Sequence, residues 1–305
     1  MVKYLILIRL PNLLVIILTQ CAIRWFVLDP VLKSLGYSYS LSNLLFGLLV
    51  FSTVLIAAAG YVINDYFDTK VDRDNKPNKV IVGRTVKRRI AMILHIVLNL
   101  IGIGIGIGLA YLLKAYLLGL VNIVCAALLW YYSTRFKHQP IVGNVIIALL
   151  AAFVPFVVVL FDFANNYLEY PLNPLMWVLG FSIFAFLTNF TREVIKDIED
   201  FKGDGSNGSN TFPVVKGVER AKLLVLLSGV VTILTLIYFQ FLFLYDSIST
   251  VYFILFVHIP MIIAIFKTFQ GKQKNDFHIS SNLYKVVMVG GVLYSIVISY
   301  NFTSI

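Results

Sequence analysis

The chain has 305 residues, 59% of them hydrophobic and only 13% charged, with a mean hydropathy of +0.87. Soluble domains carry about 25% charged residues, so this composition excludes a soluble globular protein and points to helices packed in a bilayer. The net charge of +10 would suit nucleic acid, but where the charges fall points to a membrane surface and to no nucleic-acid partner.

A membrane span needs about 20 apolar residues. The first is predicted over 10–28, behind Lys3 and Arg9, with Arg24 near one end where its side chain can snorkel. No clear small-residue cleavage site follows it, so an uncleaved helix is expected rather than a signal peptide. Runs free of Asp, Glu, Lys and Arg predict eight more spans, at 41–63, 90–113, 115–134, 141–161, 172–191, 223–245, 247–266 and 286–305. Lys114 alone separates the third and fourth spans, and Asp246 the seventh and eighth, so tight hairpins are expected at both. The run GIGIGIG at 102–108 lies mid-span with no strand before it. It reads as two overlapping small-xxx-small pairs, Gly102/Gly106 and Gly104/Gly108, for close helix packing rather than as a phosphate loop. Pro155 and Pro260 are expected to kink spans five and eight. The Gly/Ser/Asn stretch 203–210 reads as a mobile segment. Cys21 and Cys125, the two cysteines, lie inside apolar runs, and neither a disulfide framework nor a Cys/His metal site is readable.

Nine spans put the N-terminus and the 2/3, 4/5, 6/7 and 8/9 loops on one side. That side holds 22 of the 25 Lys and Arg residues, and the other keeps Arg24, Lys33 and Lys114. By the positive-inside rule the crowded side is cytoplasmic. The expected fold is all-α: a polytopic protein of the plasma (inner) membrane, with nine transmembrane helices in one bundle. Residues 1–305 then form a single domain around a central cavity open to the cytoplasmic side.

Eleven of the fifteen Asp and Glu residues fall on that same side. The stretch 64–79, NDYFDTKVDRDNKPNK, follows span two, and DIEDFKGD at 197–204 follows span six. Asp197, Asp200 and Asp204 repeat the spacing of Asp65, Asp68 and Asp72, three residues and then four. On a helix each trio lies within roughly 60° of one face. Six converging carboxylates repel unless compensated, and an oxygen-only donor set suits Mg²⁺ completed by substrate phosphate oxygens. Asn64, four residues before Asp68, offers a carbonyl on the same face. Arg73, Lys76 and Lys79 lie just beyond the first trio, where they would meet a diphosphate. Lys87, Arg88 and Arg89 read as headgroup attraction. Tyr132 and Lys137, in the third cytoplasmic loop, are placed to hold remaining diphosphate oxygens.

These stretches resemble the two aspartate-rich signatures of the UbiA superfamily of intramembrane prenyltransferases. YSTRFK at 132–137 resembles that family's tyrosine–lysine loop, and RLPNLL at 9–14 its first-helix entry. The resemblance implies Mg²⁺-dependent transfer of a polyprenyl group from its diphosphate to a lipophilic acceptor among membrane lipids. Carried over by position, Asn64, Asp65, Asp68, Asp72, Asp197, Asp200 and Asp204 would hold magnesium, with Asp68 and Asp200 indispensable to catalysis. Arg73, Lys76, Tyr132 and Lys137 would hold the diphosphate, and Asn12 and Arg192 would line the substrate cavity. The sequence departs from the family after the first signature, where Lys79-Val80-Ile81-Val82-Gly83 stands in place of an Arg-Pro-x-x-Ser-Gly pattern. The run Arg192-Glu193-Val194-Ile195-Lys196 resembles the branch making archaeal-type ether lipids, whose acceptor is geranylgeranylglyceryl phosphate. Aromatic or tetrapyrrole acceptors are the alternative. A transporter with a metal or anion site is the rival of another class, but such sites lie near the bilayer midplane, whereas these acids cluster at one face. Spans two to nine carry no internal charge, His95 and His258 are the mid-span ionisable candidates, and packed histidines are the expectation for both.

Overall fold

The computed structural model describes residues 2–69, 80–164, 172–243 and 246–303. Among them, nine helices are long and apolar enough to cross a membrane. They are α1 (Leu10–Ser34), α2 (Asn43–Phe67), α3 (Arg88–Leu112), α4 (Tyr116–Thr134), α5 (Val142–Asp162), α6 (Leu172–Ser206), α7 (Val218–Phe243), α8 (Ser247–Gln270) and α9 (Lys274–Thr303). Each coincides with a predicted span. Short helices at Val2–Leu7 and Phe212–Lys216, a 3₁₀ turn at Phe136–His138 and one isolated β-bridge between Val82 and Val86 complete the described secondary structure. By contacts the chain divides into two compact units, one of residues 1–21, 37–136 and 157–171, the other of 22–36, 137–156 and 172–305.

In the first unit α2 packs on both α3 and α4, which also touch each other. The Ser42 hydroxyl caps α2 by accepting from the Leu45 N–H at 3.3 Å, the ordinary use of serine at a helix start. The approach of α2, α3 and α4 rests on glycine. A Cβ at Gly102 would meet Ile56 Cγ1 at 2.9 Å, and one at Gly106 would enter the Asn122 carboxamide, 2.5 Å from its Cγ. Nothing lies within 4 Å of a Cβ at Gly104 or Gly108. Of the two expected small-residue pairs, only Gly102/Gly106 is therefore used. In the space it leaves, Ser52 Oγ donates to the Gly102 carbonyl at 2.7 Å. The Asn122 amide donates to Ser52 Oγ at 2.5 Å and to the Gly102 carbonyl at 3.2 Å. Such bonds tie helices where lipid gives no hydrophobic drive between them. His95 is packed as expected, buried with Nδ1 2.9 Å from the Ala59 carbonyl and its ring 5.4 Å from Trp130. The α3–α4 hairpin turns at Lys114, which takes a φ of 53°.

The second unit gathers the C-terminal half of α1, the start of α5, and α6 to α9. Here α6 packs on α7 and α9, and α8 on α9. Polar pairs again join helices: Thr191 to Ser228 at 3.0 Å, Ser249 to Tyr294 at 2.7 Å, and Tyr252 to the Gly290 carbonyl at 2.7 Å.

The prolines sit in two local geometries, and two expectations change. Pro155 lies inside the α-helix Val142–Asp162, and Pro260 follows a π-helical segment, Ile254–His258. A second such segment, Ile23–Leu28, precedes Pro30 and lets α1 run on to Ser34. A proline ring crowds the carbonyl four residues back, here Phe26 and Phe256, and a locally widened turn accommodates it. Because α1 continues to Ser34, Arg24 stands about 15 Å from the helix end. Its side chain is buried within the protein, 1% exposed. Finally, the stretch 203–210 is not a loop throughout, since α6 stays helical to Ser206. The Ser206 hydroxyl and Asn207 amide both donate to the Gly203 carbonyl, at 3.0 and 2.9 Å, and Gly208 closes the end with a φ of 74°.

Candidate active site

The first acidic cluster forms where α2 ends. The Asp68 N–H donates to the Asn64 carbonyl at 2.9 Å, a main-chain bond of the last helical turn. The Asn64 side-chain amide donates to Asp68 Oδ2 at 2.8 Å. Asp65, one turn earlier, takes Arg9 Nη2 at 2.9 Å. Arg9 reaches it from the break between the N-terminal helix and α1, in a left-handed conformation with φ of 52°. That is a strained backbone for a side chain of this size. Its guanidinium also lies 5.0 Å from the Tyr61 ring centre. The N-terminal helix is held in turn by Leu7, buried with Val62, Val82, Val86 and Ala91. Asn12 is exposed in the first turn of α1, and Tyr132 is half-buried near the end of α4. Asp72, Arg73 and Lys76 lie outside the described residues.

The second cluster rides on α6. About 20 residues suffice to cross the hydrocarbon, so the helix leaves its apolar run at Thr191 and continues about 22 Å as a polar rod. Asp197, Asp200 and Asp204 therefore share one face of an unbroken helix, as the spacing predicts. Each has a partner from elsewhere in the unit. Asn144 of α5, itself buried, donates to Asp197 Oδ2 at 2.8 Å. Lys274 at the start of α9 stands 3.1 Å from Asp200 Oδ1. The Thr211 hydroxyl donates to Asp204 Oδ2 at 3.3 Å. Lys137 lies in the 3₁₀ turn Phe136–His138. Its neighbour His138 is tied to the segment after Asp204, with Nδ1 2.9 Å from Ser209 Oγ and its carbonyl accepting from the Asn210 N–H at 3.0 Å. Arg192 and Lys196 both pair with the buried Glu193, at 3.0 and 2.8 Å.

Desolvation pushes the Asp197 carboxyl up to about 8, opposed by the Asn144 hydrogen bond and Lys196, and reinforced by the charges of Glu193 and Asp204. A carboxylate so placed gains most from a cation close by. The donor chemistry fits magnesium: carboxylates and one amide carbonyl, all hard oxygen donors. Among the described residues no three His, Cys, Asp or Glu side chains gather into a metal site by themselves. Magnesium needs no such cage, because one or two carboxylates plus substrate phosphate and water complete its shell.

Sequence reasoning missed Arg9, Asn144 and Lys274 as partners of these carboxylates. Arg9 lay inside the first-helix motif that the sequence singled out, but nothing in the sequence paired it with Asp65. Earlier along α6 an open-sided apolar cavity of about 50 Å³ is walled by rings from α6 to α9, among them Trp177, Phe184, Phe239, Phe253 and Tyr294.

The profile of the UbiA prenyltransferase family matches residues 31–286. A digeranylgeranylglyceryl phosphate synthase of Methanosphaera stadtmanae is 30% identical over 271 residues, covering 88% of this chain and 92% of the relative. Among solved structures, one of a digeranylgeranylglyceryl phosphate synthase aligns with a TM-score of 0.67 at 21% identity, over 96% of this chain and 98% of its own. A UbiA homologue from Archaeoglobus fulgidus bound to GPP and Mg²⁺ aligns at 0.61 with 19% identity, over 97% and 99%. The structural likenesses carry the nine-helix fold, and the family profile, spanning most of the chain, carries membership. The chain is an integral membrane protein that belongs to the UbiA prenyltransferase family.

Proposed function

We propose that this protein transfers a geranylgeranyl group from its diphosphate to geranylgeranylglyceryl phosphate, with Mg²⁺, at the cytoplasmic face of the plasma membrane. The observation that carries this reading is the unbroken acidic face of α6, Asp197, Asp200 and Asp204, whose spacing is repeated at Asp65, Asp68 and Asp72. Residues 1–305 act as one domain in this reading. The name of the Methanosphaera stadtmanae relative supports the acceptor, and the GPP and Mg²⁺ bound by the Archaeoglobus fulgidus homologue support the donor and the ion. The side holding 22 of 25 Lys and Arg residues supports the cytoplasmic placement.

Asn64, Asp65, Asp68, Asp72, Asp197, Asp200 and Asp204 hold the magnesium. When bound, the ion supplies positive charge to the diphosphate oxygens as the allylic C–O bond breaks. Arg73, Lys76, Tyr132 and Lys137 bind the same diphosphate as preorganised donors. Asn144 holds Asp197 in its ligating orientation, and Asn12 and Arg192 line the space for the substrates. The acceptor hydroxyl then bonds to the allylic carbon as diphosphate leaves, its proton passing to the released diphosphate, and the apolar walls keep water from competing.

The test incubates purified protein and Mg²⁺ with labelled geranylgeranyl diphosphate and a panel of acceptors. Geranylgeranylglyceryl phosphate should be prenylated, and Asp68→Ala and Asp200→Ala should each abolish turnover while the fold survives. Product on aromatic acceptors alone would reassign the acceptor. Near-normal rates in either variant would sink the two-cluster mechanism.

A further inference from the structure

Two side chains one turn apart on α9 reach across to two successive residues of α6. Lys274 Nζ stands 3.1 Å from Asp200 Oδ1, and His278 Nδ1 3.0 Å from Glu199 Oε1. The turn from α8 into α9 is itself fixed: Asp276 accepts the N–H groups of Lys272 and Gln273, both at 3.1 Å, and faces Lys267 at 3.8 Å. The backbone at Lys274 is thus anchored, while its long side chain ends in a compact charge that can swing. The pair is lopsided, with 16% of the Asp200 side chain exposed against 47% of Lys274. Arg9 and Asp65 show the same asymmetry, at 41% and 15%. In each cluster a sheltered carboxylate is met by a basic side chain that keeps one flank in solvent.

An ammonium 3.1 Å from a carboxylate oxygen crowds and repels a divalent cation approaching the same oxygen. Metal entry at Asp200 therefore displaces Lys274. The diphosphate that would arrive with the metal offers the displaced ammonium a new negative charge.

We propose that Lys274 is a counter-ion that exchanges partners: it neutralises Asp200 before the metal arrives, then swings to the diphosphate and becomes one of its donors. This deepens the proposed prenyl transfer and rests on it for the identity of the bound diphosphate. It makes the start of α9 part of the binding machinery, although no acidic or tyrosine–lysine signature lies there. His278 keeps α9 docked on Glu199 throughout, so the exchange needs a side-chain movement and no helix movement.

The exchange gives Lys274→Ala two effects of opposite sign. Without diphosphate, Mn²⁺ binding followed by electron paramagnetic resonance should tighten about threefold, because a competitor of roughly salt-bridge strength is gone. With saturating Mg²⁺, binding of inorganic pyrophosphate measured by calorimetry should weaken about fivefold, because a charged donor is gone. Lys274→Arg should restore both toward wild type, and Lys202→Ala, an exposed lysine on α6, should change neither. Both affinities falling together would mark Lys274 as structural and overturn the proposal, as would no change in either. Both measurements are made without a prenyl group. Opposite shifts in a protein that fails to prenylate would uphold the exchange and reject the reaction, whereas wild-type protein that binds no Mn²⁺ would overturn both.

Discussion

Gly106→Ala tests the packing of the first unit, and its cost follows from the surroundings. The added methyl enters the Asn122 carboxamide, 2.5 Å from Cγ and 3.0 Å from Cβ, so Asn122 must rotate away or α4 must retreat. Rotation forfeits the bonds to Ser52 Oγ and the Gly102 carbonyl, and interhelical bonds in membranes are worth about 0.6 kcal/mol each on average. Forcing a methylene into a packed interior costs about 1–3 kcal/mol. Exchanging glycine for alanine within a helix returns up to about 1 kcal/mol. The sum is a net loss of about 1–3 kcal/mol. Gly104→Ala, one residue pair along the same run, meets nothing within 4 Å and should be neutral or stabilising. Unfolding in mixed micelles titrated with SDS gives both numbers, with Trp130, which packs on His95 in the same unit, among the fluorescent reporters. Adding Asn122→Ala to Gly106→Ala removes the clash, so the double variant should lose less than the two single losses added together. Gly106→Ala at least as stable as Gly104→Ala would refute the reasoning.

Asn144→Leu removes the donor 2.8 Å from Asp197 Oδ2 and with it support for the charged carboxyl. Hydrogen bonds to charged groups are worth about 1.5–3 kcal/mol, so the Mg²⁺ concentration for half-maximal activity should rise at least about tenfold; an unchanged Mg²⁺ requirement would count against Asn144 as a positioning residue. For orientation, single cysteines at Lys33 and Lys202, both exposed, can be read in a background carrying Cys21→Ser and Cys125→Ser. In right-side-out vesicles an impermeant maleimide should label Lys33→Cys directly and Lys202→Cys only after permeabilisation. The reverse pattern would place the acidic faces outside.

The spans were readable because hydrocarbon tolerates little charge: all nine apolar runs are helices, and the paired aspartate spacing survives on α6 as a continuous face. What escaped reading depends on contacts between distant elements. Lys274 looks in sequence like one more basic residue of a cytoplasmic loop, and only the docking of α9 on α6 singles it out. Asn144 sits in an unremarkable helix start, and its role exists only opposite Asp197. The glycine run declared close packing without telling which pair faces the neighbours, because that depends on the rotation of α3. Polar, glycine-rich composition at 203–210 suggested a loop, but side-chain bonds to the Gly203 carbonyl hold the last turns of α6.

The unbroken length of α6 fixes more than a direction. Leu187, at the inner rim of the ring-walled cavity, and Asp200 are thirteen residues apart on one rod, about 20 Å of rise. That separation is held by main-chain hydrogen bonding and is indifferent to lipid composition. A thicker or thinner bilayer can tilt or shift the rod, but it leaves the interval between cavity and carboxylates as it was, so the protein carries its own yardstick between its oily and its charged ends.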